Sequence, residues 1–206
     1  FKLDGGAMFG VVPKSIWSKT NPPDSNNMCS WAMRSMLVEM DNQLILIDTG
    51  IGNKQSDKFF SYYFLHGEDS LEKSINKAGY SLGEVTDVFL THLHFDHCGG
   101  GVKWQDRDKS ILEPVFKNAH YWSNKSHWDW AIHPNPREKA SFLTENLKPI
   151  EESGQLKFVS RKQQITKGVF KGIDVFFADG HTESQMIPII NYKDQKIVFT
   201  ADLLPS

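Results

Sequence analysis

The sequence predicts an α/β domain, and three observations carry that prediction. The chain has 206 residues, 39% of them hydrophobic, enough for one substantial buried core. A helical pattern, "DSLEKSINKAG", lies between strand-like runs. The apolar runs "VFLT", "VFFA" and "IVFTA" are each followed within a few residues by His or Asp, as expected if three strands deliver polar groups to one edge of a sheet.

The elements follow in order. After a Gly-rich opening and the loop-like "SKTNPPDSNN", the segment "SMLVEMDNQLILIDTG" reads as two β-runs around an Asp41-Asn42 hairpin turn, ending at Asp48-Thr49-Gly50. In "DSLEKSINKAG", Leu71, Ile75 and Ala78 share a helical face, Gly79 stops the helix, and Ser81 and Glu84 have capping-box spacing. "VTDVFLT" is a short buried strand that runs into "THLHFDHCGGG". Residues 111–150, rich in Trp, Pro and polar side chains, read as helical pieces broken at Pro134 and Pro136, the least regular part of the chain. Strands return in "IDVFFADGH" and in "MIPIINYKDQKIVFTAD", with a turn at Lys193-Asp194.

Composition narrows the partners. A formal net charge of −2 with interspersed signs offers no footprint for nucleic acid or an anionic membrane. No apolar run reaches membrane-spanning length, and "FKLDGGAMFG" lacks a secretory pattern. Cys29 and Cys98 are too few for a disulfide framework and form no CxxC pair, so a soluble protein in the reducing cytoplasm is expected. The chain opens on Phe1 instead of Met, so it is read as a processed or trimmed product.

The chemistry concentrates in His92-Leu93-His94-Phe95-Asp96-His97. Extended backbone sends His92 and His94 to one side, while Asp96 and His97 sit where the chain turns at the glycines. Three imidazoles and a carboxylate at the end of a buried strand are costly unless a cation organises them. That donor set suits Zn2+ first, with Mn2+, Fe2+ or Co2+ also permitted. His66, His120, His127 and His133 are scattered and read as ordinary hydrogen-bonded residues. Cys98 reads as a small buried thiol. Gly99-Gly100-Gly101 lacks the Lys-Ser/Thr of a P-loop and reads as backbone passing close under the site.

"THLHFDHCGG" after an apolar strand resembles the HxHxDH signature of the metallo-β-lactamase superfamily, as do "LILIDTG", "DGHTESQ" and "TADLLPS", in that order. The resemblance covers nearly the whole chain and implies a single domain over residues 1–206. The implied fold is a four-layer αβ/βα sandwich, two mixed β-sheets flanked by helices, with two metal sites at the sheet edge. By position, His92, His94 and His181 would hold the first ion, Asp96 and His97 the second, and Asp202 would bridge both. Asp48 would be a hydrogen-bond partner beneath the site. The run around His181 departs from the family's Pro-Gly-His-Thr-Pro-Gly-His type of pattern. The family's last histidine for the second ion does not occur before Ser206, so the C-terminal end is expected to be incomplete, the alternative being a mononuclear protein.

Two divalent ions about 3.5–4 Å apart would hold a bridging hydroxide beside a polarised substrate oxygen. Asp96 would then be both ligand and catalytic residue, orienting the hydroxide and passing a proton to the leaving group. The opening "DGGAMFGVVPKSIW" and the segment "HWDWAIHPNPREKASF" resemble the branch of acyl-homoserine lactonases and methyl-parathion-type hydrolases. The expected function is hydrolysis of a lactone or ester of a hydrophobic small molecule. The alternatives are phosphotriester or phosphodiester hydrolysis on the same dinuclear site, or an iron-dependent, oxygen-using redox reaction. Trp128, Trp130 and Phe142 read either as an acyl or aryl pocket or as helix-packing aromatics. A small-molecule substrate is the expected partner, and a homodimer is compatible with the resemblance.

Overall fold

The structure, a computed structural model, describes residues 1–106 and 108–204. Arg107 lies outside them, as do Pro205 and Ser206, the last two residues of "TADLLPS". The described chain divides into two compact units, residues 1–33 with 55–69, and residues 34–54 with 70–204.

In the smaller unit, Lys2–Asp4 pairs antiparallel with Met28–Ser30. Asp4 caps the short helix Gly5–Phe9 by accepting from the Ala7 amide. Trp17 and Cys29 are buried, and Phe9 stacks on Trp17 with ring centroids 5.0 Å apart.

The larger unit is built on two large sheets, with a short antiparallel pair, Val102–Trp104 and Leu112–Pro114, beside them. The first contains β1 (Met36–Met40), β2 (Gln43–Ile47), β3 (Asp87–Phe89), β4 (His120–Ser123) and β5 (Leu156–Phe158), in that spatial order. β1 and β2 form the expected hairpin, with Asp41 at φ 49° in its two-residue turn. β2, β3, β4 and β5 are parallel neighbours. Their connections carry the helices α1 (Leu71–Lys77), α2 (Phe95–Cys98), α3 (Lys125–Ile132) and α4 (Thr144–Glu152). The second sheet holds β6 (Ile165–Phe170), β7 (Ile173–Ala178), β8 (Gln185–Tyr192) and β9 (Gln195–Val198). It is antiparallel throughout, where two mixed sheets were expected. Connections as short as Lys171-Gly172 and Lys193-Asp194 permit only antiparallel pairing.

Strand alternation separates two cores. Leu44 and Leu46 of β2, Val88 of β3 and Tyr121 of β4 face Ile75 of α1, Trp128 and Ala131 of α3, and Leu147 and Ile150 of α4. Ile45, Ile47 and Phe89 face the second sheet, meeting Ile173, Val175, Phe177 and Met186. The α/β class and the paired sheets thus agree with expectation. Among the described residues these cores supply three of the four expected layers: helix, sheet and sheet.

Two local readings need correction. Ala78 is exposed at the C-cap of α1 and does not share the buried face with Ile75, because the helix has already ended at Lys77. Residues 111–150 contain β4, a strand inside the parallel sheet. Only four residues long, it has no apolar run to announce it. α3 does end before Pro134, as expected, while α4 includes Pro149.

Candidate metal centre

The centre is built upward from Asp48, directly after β2. Its φ of 57° is left-handed, uncommon for a residue with a side chain. Three donors offset that strain: the Thr91 amide to Oδ1, and the Thr91 hydroxyl and His97 Nδ1 to Oδ2, each at 2.8 Å. Thr91 Oγ1 also lies 3.1 Å from His92 Nδ1. Because the Thr91 proton goes to Asp48, its oxygen accepts from His92 Nδ1–H, leaving a lone pair on His92 Nε2. His97 is oriented the same way, with Nδ1–H on Asp48 and Nε2 facing outward from it.

The outward-facing nitrogens converge. His181 Nε2 lies 3.3 Å from His92 Nε2 and 3.1 Å from His94 Nδ1. A tetrahedral ion bound at about 2.0–2.1 Å would hold neighbouring nitrogens roughly 3.3 Å apart, so this spacing fits zinc. A second set of mutually close donors comprises His92, His97 and Asp202. Asp202 faces both sets, with Oδ1 3.2 Å from His97 Nε2 and Oδ2 3.2 Å from His181 Nε2. Asp96 Oδ2 is 3.8 Å from His97 Nε2 and belongs to neither set.

Electrostatics sharpen the picture. Burial, then the neighbouring His97, pushes the His92 pKa well below the usual imidazole value. Burial and His181 lower His94 to about 3. Burial opposes charge on His97 too, yet Asp48, Asp202 and Asp96 together raise its pKa well above the ordinary value. Asp202 stays below the usual carboxylate range despite burial, through the hydrogen bond and charge of His97. Asp96 is raised, chiefly by burial. With their pKa values lowered, His92 and His94 offer neutral imidazole nitrogens, the form in which imidazole binds a cation.

His92, His94, His97, His181 and Asp202 come together, with Asp96 beside them but in neither set, and the route is not the expected one. "VFLT" begins in β3 of the mixed sheet, whereas "VFFA" lies in β7 and "IVFTA" begins in β9 of the antiparallel sheet. Side chains therefore meet where the ends of two stacked sheets adjoin, since each sheet turns its apolar face to the other. The Met186 amide donates to the Thr91 carbonyl at 2.8 Å, joining the sheets beside the site.

Of the scattered histidines, His127 is a hydrogen-bonded core residue, in keeping with the reading from sequence. It is fully buried, with Nε2 accepting from the Leu93 amide at 2.8 Å and Nδ1 donating to the Glu183 carbonyl at 2.5 Å. Burial lowers its pKa to about 4. Glu138, unremarked in the sequence, accepts from Thr182 Oγ1 at 2.7 Å and lies 3.7 Å from His94 Nε2. Trp128 packs in the helix–sheet core, while the Phe142 ring lies 4.8 Å from that of His94.

Beneath the site, Cys98 is a buried thiol whose pKa burial pushes up to about 12. A Cβ on Gly99 or Gly100 would strike the carbonyl oxygens of Ile51 and Thr49, so these glycines do let two backbones pass closely. Buried Lys54 donates to the Gly99 carbonyl at 2.5 Å.

Comparison with known proteins gives this arrangement a family. The chain is 26% identical over 117 residues to an N-acyl homoserine lactonase of Bacillus cereus, a match covering 52% of this chain and 46% of that protein. The chain thus matches less than half the length of that relative. The structure superposes on a probable metal-dependent hydrolase from Staphylococcus aureus with TM-score 0.86 and 28% identity, covering 99% of this chain and 70% of that one. It superposes on AidC, a dizinc quorum-quenching lactonase bound to its product N-hexanoyl-L-homoserine, with TM-score 0.66 and 27% identity, over 87% of this chain and 59% of the other. Residues 34–206 match the metallo-beta-lactamase superfamily, and the chain belongs to that superfamily.

Proposed function

We propose that residues 1–206 form one metallo-β-lactamase-like domain of a dinuclear zinc hydrolase that opens a lactone or ester of a hydrophobic small molecule. The observation that carries the reading is the convergence of His92 Nε2, His94 Nδ1 and His181 Nε2 within 3.1–3.3 Å, with Asp202 touching both His181 and His97. His92, His94 and His181 would hold one ion, Asp96 and His97 the other, and Asp202 both. Membership of the superfamily and likeness to homoserine lactonases support this choice of metal and substrate class.

Bound ions would supply a water that ionises near neutral pH and a Lewis acid for the substrate oxygen. The chain's own residues supply order. Asp48 and Thr91 orient the two rings, so that His92 turns a lone pair inward and His97 faces the site with Nε2, whose proton an ion would displace. Asp96, whose Oδ2 lies 3.8 Å from His97 Nε2, would orient the attacking hydroxide and pass a proton to the leaving oxygen. No helix among the described residues is long and apolar enough to cross a membrane, and the substrate is read as a small molecule met in solution.

The test combines metal analysis with a substrate panel on the purified chain. Two zinc ions per chain and cleavage of N-acyl homoserine lactones or aryl esters are expected, with Asp96→Asn lowering kcat about 10²–10⁴-fold. Cleavage of phosphotriesters alone, or iron as the sole tightly bound metal with oxygen consumption, would overturn the substrate assignment.

A further inference from the structure

We propose that His127 is a positioning residue that ties the loop carrying His92 and His94 to the loop carrying His181, setting the spacing of the three nitrogens before metal binds. The inference rests on the metal-centre reading above and extends it to a side chain that touches no ion.

His127 lies in the first turn of α3, fully buried. Its two ring nitrogens serve two backbone groups from different parts of the fold. Nε2 receives the amide of Leu93, the residue between His92 and His94. Nδ1 faces the carbonyl of Glu183, two residues beyond His181. An amide can only donate and a carbonyl can only accept, so both bonds form at once only in the neutral Nδ1–H tautomer. No apolar side chain of similar volume could make either bond.

The loop after β7 needs such ties. It has no regular structure, and Gly180 at φ 137° and Ser184 at φ 56° bend it sharply. The N-cap of α3 adds a second tie: Asn124 Oδ1 accepts from the His127 amide at 2.9 Å while Asn124 Nδ2 donates to the Ser184 carbonyl at 2.8 Å. The first turn of α3 thus grips the His181 loop at Glu183 and Ser184, and through the His127 ring it also grips Leu93. Misplacing either loop by a fraction of an ångström would spoil a three-nitrogen set whose members are only 3.1–3.3 Å apart.

The test uses the whole chain in wild-type, His127→Leu and His127→Gln forms, read by chelator-competition titration with zinc and by the visible spectrum of the cobalt-loaded protein. His127→Leu should keep its far-UV circular dichroism but bind zinc roughly 10–100-fold more weakly, with an altered cobalt spectrum. His127→Gln, which can still accept from Leu93, should recover most of the affinity. Wild-type affinity and an unchanged cobalt spectrum in a folded His127→Leu protein would overturn the inference. Should that variant not fold, nitrogen-15 NMR of the metal-free wild type decides, because an Nε2–H tautomer at His127 is incompatible with the proposed tie. A wild-type chain that binds no zinc at all would instead defeat the metal-centre reading itself.

Discussion

Thr91 is silent in the sequence, because its partner Asp48 lies 43 residues away and nothing local advertises the bond. The HxHxDH knot was legible for the opposite reason, since its residues are adjacent and their crowding alone demands explanation. His127 reads from sequence as an ordinary hydrogen-bonded residue, and its place between two loops is not legible because its partners lie 34 and 56 residues away. Thr91→Val should remove the oxygen that fixes His92 Nδ1 and weaken zinc binding about 10–100-fold in chelator competition, without unfolding the chain. Lys54 yields a pH signature. Burial lowers its pKa from 10.5 to about 8, so between those values the unfolded chain holds a proton that the folded chain lacks. Stability contributed at this position therefore rises with pH across that window. The stability difference between wild type and Lys54→Met should move in favour of wild type from pH 8 to pH 10.5. A flat difference in denaturant midpoints would contradict it.

Hairpins and caps were readable because their signals are short-range. Asp41-Asn42 and Lys193-Asp194 form turns as expected, and the Ser81 amide donates to Glu84 Oε2 at 2.8 Å. β4 was missed because its pairing with β3 and β5 is dictated by neighbours far along the chain, which a four-residue run cannot reveal. The assignment of three ligand-bearing strands to one sheet failed for a related reason: alternation tells which face a side chain takes, not which sheet its strand joins. The contact between the glycines after His97 and the loop after Asp48 was legible in kind, and its geometry gives a prediction. At Gly100 an added methyl would meet the Thr49 carbonyl, a backbone atom with no rotamer to escape into. Gly100→Ala should lower unfolding free energy by about 1–3 kcal/mol in a denaturant titration.

Within the larger unit, two cores share the strands β2 and β3, so each of these strands is packed on both faces. Phe89 belongs to the inter-sheet core and packs edge-on to Phe170, with centroids 6.4 Å apart. Phe89→Ala should cost about 3–5 kcal/mol and lower the melting temperature accordingly. If the proposed ions bind only the folded chain, chelation should also lower that temperature, and added zinc should restore it. The bond from the Met186 amide to the Thr91 carbonyl has one more consequence. It spans the seam between the sheets at the level of the histidines, so any parting of the sandwich must break it as His181 leaves His92 and His94. If the proposed ions bind there, deuterium uptake at that single amide should accelerate when they are removed, making it a local gauge of how firmly the seam is latched.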